Sequence, residues 1–326
     1  MADDPSDDPT AARAGTDQAS PDVPSVGSQA CDVVAATVGG ALREAEHSLE
    51  AAGIEAARLE ATLLLGHVLG HDRAQLLAAL SDPLTEAQLA GFRELVERRA
   101  AREPLQYLRG RAPFLDFELE VHPGVFIPRP ETEGLVERAL ELWDPTDGWA
   151  VDVGTGSGAI AIGLARGKPA GHVLAVDQSP TALNAAARNA DRLGVRNRIA
   201  FVGGNFLRAL DLSPDDIGII VSNPPYVADS DEVDPEVRHH DPRKAWVSGP
   251  TGMEAYERII PEAAALLRAG RPLALELGYG QEEPVCALLR ESGEWEKPGV
   301  EPDYRGIPRV LVVRRASPTP RPSSAA

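Results

Sequence analysis

The chain has 326 residues, 43% of them apolar, and carries 50 Asp and Glu against 32 Lys and Arg for a net charge of −18. At about 150 residues per domain, that length predicts two domains with a sizeable core. The acidic balance argues against broad binding to a nucleic-acid backbone, which is driven by Lys and Arg. Cys31 and Cys286 alone are too few for a disulfide scaffold or a Cys-ligated zinc cluster. No apolar run approaches the roughly 18 residues that a membrane span needs. The chain opens on Asp3, Asp4, Asp7 and Asp8 and not on a basic region, so no signal peptide and a cytoplasmic location are expected.

Residues 1–30 hold six Asp and one Arg among Pro, Ser, Ala and Gly. Having almost no large apolar side chain to bury, they are expected to be disordered, as are residues 316–326. Residues 31–103 predict a small helical domain. Leu59, Leu63 and Leu64 share a face with Val68 and Leu69, and Leu76, Leu77 and Leu80 continue the apolar spacing in the next helix. A further helix starts from Thr85 as N-cap and aligns Leu89, Phe92, Leu95 and Val96. Gly53, Gly70 and Asp82-Pro83 punctuate these helices.

Over residues 104–130 the texture changes. Phe114, Phe117, Leu119 and Val121 recur with a largely period-two spacing, which predicts a short β-hairpin linker. From 131 to 315 strands and helices alternate, the pattern of a parallel α/β sheet. Strands are expected at 149–153, 172–176, 199–202, 217–221, 273–277 and 309–313. One helix is expected over 159–166, and another begins at Ser179-Pro180, an N-cap followed by proline at the first helical position.

Two motifs carry chemistry. In Val151-Asp152-Val153-Gly154-Thr155-Gly156-Ser157-Gly158 a strand enters a glycine turn and a helix leaves it. Glycine permits the sharp turn and a close backbone approach, while the helix start offers unpaired N–H groups. Asp177 ends the next strand, where a carboxylate can accept hydrogen bonds from ribose hydroxyls. Gly154-x-Gly156-x-x-Ala159 also fits a dinucleotide fingerprint, so the turn alone leaves NAD and S-adenosylmethionine both open. The second motif, Ser222-Asn223-Pro224-Pro225-Tyr226, follows the fourth strand of the sheet. Consecutive prolines hold Asn223 and Pro224 extended. An amide oxygen and a free carbonyl then stand side by side, able to accept both hydrogens of a planar –NH2 group, with Tyr226 to pack against its face.

Asn223-Pro224-Pro225-Tyr226 together with Gly154–Gly158 resembles the amino-methylating class of S-adenosylmethionine-dependent methyltransferases. More narrowly, Phe126-Ile127-Pro128-Arg129-Pro130-Glu131-Thr132-Glu133 is similar to the segment opening the catalytic domain of the bacterial peptide chain release factor N5-glutamine methyltransferases. The resemblance runs from Pro104-Leu105-Gln106-Tyr107-Leu108-Arg109-Gly110 through Val247-Ser248-Gly249-Pro250-Thr251-Gly252-Met253 to Glu301-Pro302-Asp303-Tyr304-Arg305-Gly306, and covers about residues 35–315. It implies a seven-stranded, mostly parallel, Rossmann-like sheet behind a small all-α domain and a hairpin linker. It also implies a substrate, the glutamine of the Gly-Gly-Gln loop in class I release factors.

By the same resemblance, Gly154, Thr155, Gly156, Ser157 and Gly158 surround the methionine part of S-adenosylmethionine and Asp177 its ribose. Asn205 and Phe206 stand near the adenine, where the family usually has an acidic residue before the aromatic or apolar one. Asn223, Pro224, Pro225 and Tyr226 form the substrate site, with Asn223 also bordering the cofactor, and no metal is implied. Arg129 to Glu133 line the active-site mouth by resemblance; taken alone, Arg129 reads as a surface partner of Glu131 or Glu133. His239-His240-Asp241 lacks the spaced ligands of a metal site. A glutamine methyltransferase acting on a ribosomal protein is the nearest alternative. An adenine-N6 nucleic-acid methyltransferase is further off, since it needs a basic surface, and a non-catalytic module would not need Asn223.

Overall fold

The computed structural model describes residues 36–208, 210 and 212–317. The expectations for residues 1–30 and Cys31, and for the tail beyond residue 317, lie outside that range.

The first helices are α1 (Val38–Ala51), α2 (Ala57–Leu69), α3 (Arg73–Ala78) and α4 (Glu86–Ala100). Thr85 caps α4 and Gln88 reaches back to the Thr85 amide, a reciprocal pairing that satisfies two otherwise free donors. Their shared core includes Leu49, Leu64, Leu65, Leu76 and Phe92. Not every leucine of the expected stripe is inside: Leu59, Leu77 and Leu80 are 51%, 59% and 40% exposed. α2 packs through Ala57, Ala61, Leu64 and Leu65, which turns Leu59 outward. α3 is only six residues long and buries Leu76 alone.

A short helix, α5 (Leu105–Arg109), leads into the hairpin of β1 (Arg111–Phe114) and β2 (Phe117–Glu120), which pair antiparallel. Then come α6 (Glu131–Leu142), β3 (Trp149–Val153), α7 (Ala159–Gly167), β4 (Val173–Asp177), α8 (Pro180–Arg192), β5 (Ile199–Gly203) and β6 (Ile217–Ser222). An insertion follows with β7 (Val227–Ala228), α9 (Pro235–His240) and β8 (Val247–Gly249). The chain closes through α10 (Glu254–Leu266), β9 (Pro272–Glu276), α11 (Glu282–Ser292), β10 (Gly299–Pro302) and β11 (Pro308–Arg314).

Seven strands form one sheet in the order β10-β11-β9-β6-β3-β4-β5. The pairs from β9 to β5 are parallel, and β11 runs antiparallel to both β9 and β10. All six residues of β6 are buried, as a parallel strand covered on both faces requires. One face is covered by α6 and α7, the other by α10 and α11. The chain fills the sheet outward from β3 to β5, then returns to place β6 on the other side of β3. That reversal opens a crevice beyond the carboxyl ends of β3 and β6, the place where open α/β sheets take ligands. Val153 and Ser222 are register partners there, and the Ser222 hydroxyl donates to the Val153 carbonyl at 2.7 Å.

Candidate active site

A cavity of about 620 Å3 occupies that crevice, within the usual range for a small-molecule site. Its wall includes Gly154, Thr155, Gly156, Ser157, Asp177, Asn205 and Phe206 from one side. Asn223, Pro224, Pro225 and Tyr226 come from the other. Gly158 stands behind the wall: a Cβ there would lie 3.0 Å from Ile162 Cδ1 and 3.1 Å from Ala186 Cβ. Its glycine serves the close packing of α7 on α8. Gly154 and Gly156 take φ of +78° and +56°, and the nearest atom to an added Cβ is 4.0 Å away at both. Their backbone is left open to the cavity.

The loop is held from below by Asp152, a fully buried carboxylate. Its Oδ2 accepts from the Thr155 hydroxyl at 2.6 Å and the Ala161 amide at 3.0 Å, and burial pushes its carboxyl up to about 7. Asp177 accepts from the Gly156 amide on Oδ2 at 3.0 Å and from the Ser179 amide on Oδ1 at 2.8 Å. Burial raises its carboxyl, while these amides favour the charged form. Near the far end, Phe206 adopts φ +61° and carries the Arg258 guanidinium 4.4 Å above its ring. Arg258 also donates to Asn205 Oδ1 at 3.4 Å. Nothing local in the sequence points to Arg258, which arrives from α10.

Asn223 is oriented from outside its own motif. Its Nδ2 donates to Thr132 Oγ1 at 2.9 Å, and the Thr132 hydroxyl donates to Glu276 Oε2 at 2.6 Å. The Tyr226 hydroxyl faces Glu276 Oε1 at 3.4 Å, while its carbonyl accepts from Gln281 Nε2 at 2.9 Å. A Cβ at Gly278 would sit 2.9 Å from Tyr226 Cδ2, so a glycine makes room for the ring. Burial keeps the Tyr226 hydroxyl neutral by raising it above its ordinary value. Thr132 lies in the Arg129 to Glu133 segment expected at the active-site mouth and does line the cavity, but its hold on Asn223 was not foreseen, and Glu276 and Gln281 were not singled out in the sequence.

Arg129 lines the cavity but does not pair with Glu131 or Glu133. It binds Asp241 Oδ2 at 2.5 Å and lies 4.9 Å over the Phe126 ring. The buried Asp241 also accepts from Tyr107 at 2.9 Å, which makes it the stronger partner. Glu133 is engaged elsewhere, accepting from the Leu115 amide. Among the described residues no group of three or more His, Cys, Asp or Glu is arranged to hold a metal.

Residues 40–110 match the PrmC N-terminal domain, and residues 118–240 match the methyltransferase small domain. The release factor glutamine methyltransferase of Moorella thermoacetica is 42% identical over 285 residues, covering 86% of this chain and 99% of that protein. The chain belongs to the release factor glutamine methyltransferase family. The relative from Mycolicibacterium smegmatis is 41% identical over 84% of this chain and 96% of its own. Among solved structures, the hMettl16 catalytic domain in complex with the MAT2A 3'UTR hairpin 6 is 18% identical. Its TM-score is 0.51, with 70% of this chain and 84% of that chain covered, which shows a shared fold. The family's α/β methyltransferase domain is thus present here with its helical N-terminal partner.

Proposed function

We propose that this chain methylates the side-chain amide nitrogen of the glutamine in the Gly-Gly-Gln loop of class I peptide chain release factors, using S-adenosyl-L-methionine. The observation that carries the reading is Asn223. With Nδ2 tied to Thr132, its Oδ1 accepts from no described residue, and Asn223 and Pro224 both line the cavity. The cavity fits the cofactor through the open backbone of Gly154 to Ser157 at the methionine part and Asp177 at the ribose. Asn205 and Phe206 serve the adenine.

Bound there, S-adenosylmethionine supplies a methyl on a positively charged sulfur that departs as a neutral thioether. An amide nitrogen is a weak nucleophile because its lone pair is delocalised into the carbonyl. Asn223 Oδ1 and the Pro224 carbonyl accept its two hydrogens and hold the nitrogen in line, while Tyr226 packs against the amide plane. As the new N–C bond forms, positive charge grows on the –NH2 group, and the same two acceptors stabilise it. The surplus proton leaves to water afterwards, so the residues act as positioners. Pro225 keeps the segment rigid.

Asn223→Ala tests this. Turnover of release factor is expected to fall by about 100-fold or more, on the scale of a lost transition-state acceptor, with cofactor affinity changed by no more than about threefold. Turnover within about tenfold of the parent enzyme would remove Asn223 from this role.

A further inference from the structure

Glu276 ends β9 at 1% exposure, and a buried carboxylate requires partners that offset its desolvation. Its side-chain partners are Thr132 and Tyr226, and the first of these holds Asn223. The Thr132 hydroxyl has one proton. Giving it to the carboxylate at 2.6 Å leaves only lone pairs to offer Asn223, which must then turn Nδ2 inward and Oδ1 outward.

Building on the function proposed above, we propose that Glu276 and Thr132 are positioning residues that set which end of the Asn223 amide meets the substrate, through a carboxylate–hydroxyl–amide relay. The relay works in one direction only while Glu276 is ionised. A protonated Glu276 can donate to Thr132, which frees the threonine proton for Asn223 Oδ1. The amide then turns over and presents Nδ2 to the cavity, opposing a substrate –NH2 donor to donor. The groups facing Glu276 are Arg309 from β11, Glu131 from α6, and the hydroxyls of Tyr226 and Tyr256, the latter bonded to the Glu276 carbonyl at 2.8 Å. Burial is the largest influence and raises the carboxyl; Thr132, Arg309 and Tyr226 pull it down, Glu131 adds to the rise, and it titrates at about 7. The switch in amide orientation therefore falls near neutral pH.

The test uses the full chain with S-adenosylmethionine and intact release factor. Thr132→Val removes the hydroxyl at constant shape and is expected to lower kcat about tenfold, with cofactor affinity within about twofold. Thr132→Ser restores the hydroxyl and is expected to return kcat to within about threefold of the parent. The parent's kcat falls on the acid side of an apparent pKa near 7, and Thr132→Val or Glu276→Gln abolishes that limb because each cuts the relay. Should Glu276→Gln fail to fold, the two Thr132 variants compared at about pH 6 and about pH 8 still decide. Full kcat in Thr132→Val, equal damage in Thr132→Ser, or an unchanged acid limb in Thr132→Val or Glu276→Gln overturns the proposal. If Asn223→Ala is crippled while Thr132→Val is not, the relay fails and the function stands. An active Asn223→Ala would instead sink the underlying reading.

Discussion

Asp177 receives the Gly156 and Ser179 amides on separate oxygens, so it shapes the glycine turn as well as facing the cavity. Asp177→Ala is therefore expected to weaken S-adenosylmethionine binding by about 1.5–3 kcal/mol, the usual worth of hydrogen bonds to a charged group. Calorimetry showing unchanged affinity would take Asp177 out of the ribose site. The buried Glu276 makes a second, pH-dependent prediction. Its carboxyl rises from an ordinary 4.5 to about 7 on folding, chiefly through burial. The folded state thus binds the proton more tightly than the unfolded state. Its contribution to stability is complete below about pH 4.5 and is lost as pH rises through about 7. Relative to the parent, Glu276→Gln should gain roughly 3 kcal/mol of unfolding free energy between those limits, measured by denaturant titration. A pH-independent difference would contradict it. Asn223, Tyr226, Asp177 and the glycines were legible because their chemistry is local to a short motif. The contact between Thr132 and Glu276 was not, since they are 144 residues apart in the chain and meet only once α6 lies against β9.

The glycines separate by what surrounds them. Gly158→Ala forces a side chain at φ +88° against Ile162 and Ala186, and a loss of about 1–3 kcal/mol in stability is expected. Gly156→Ala meets open space, so its effect should fall mainly on cofactor affinity, beyond about 1 kcal/mol of backbone strain. Paired denaturation and binding measurements check both, and a reversed ranking would contradict the packing. The same contrast explains which elements could be read ahead of the fold. β3, β4 and β6 are mostly apolar, broken in β3 by the buried Asp152, because both sheet faces are covered, and Thr85 and Ser179 announce their helices by capping. β10 is an edge strand with mostly exposed residues, and β7 and β8 are two and three residues long. None of these leaves a periodic pattern.

The helical part and the catalytic part meet through charge. Arg99 of α4 is buried and reaches Glu60 at 2.5 Å and Glu236 of α9 at 2.8 Å. α9 belongs to the insertion that walls the cavity beside Asn223, with Val237 in the lining. We propose that the helices dock the protein substrate, because a lone glutamine offers too few contacts for specificity. Arg99→Ala leaves Glu60 without its cation and Glu236 with Arg102 alone, at 3.7 Å, and is expected to cost about 3 kcal/mol of stability. It should also raise KM for intact release factor more than for a Gly-Gly-Gln peptide. Equal changes on both substrates would restrict the pair to a structural part. The helices were legible from apolar spacing, but this junction joins residues 137 apart and has no local mark. One measurement tests the central claim most directly: mass spectrometry of purified release factor and ribosomal protein after incubation with the enzyme and methyl-labelled S-adenosylmethionine. Label on the side-chain amide of the Gly-Gly-Gln glutamine, adding one CH2 to that peptide, is the expected result. An unmodified release factor peptide, or label confined to the ribosomal protein, would contradict it.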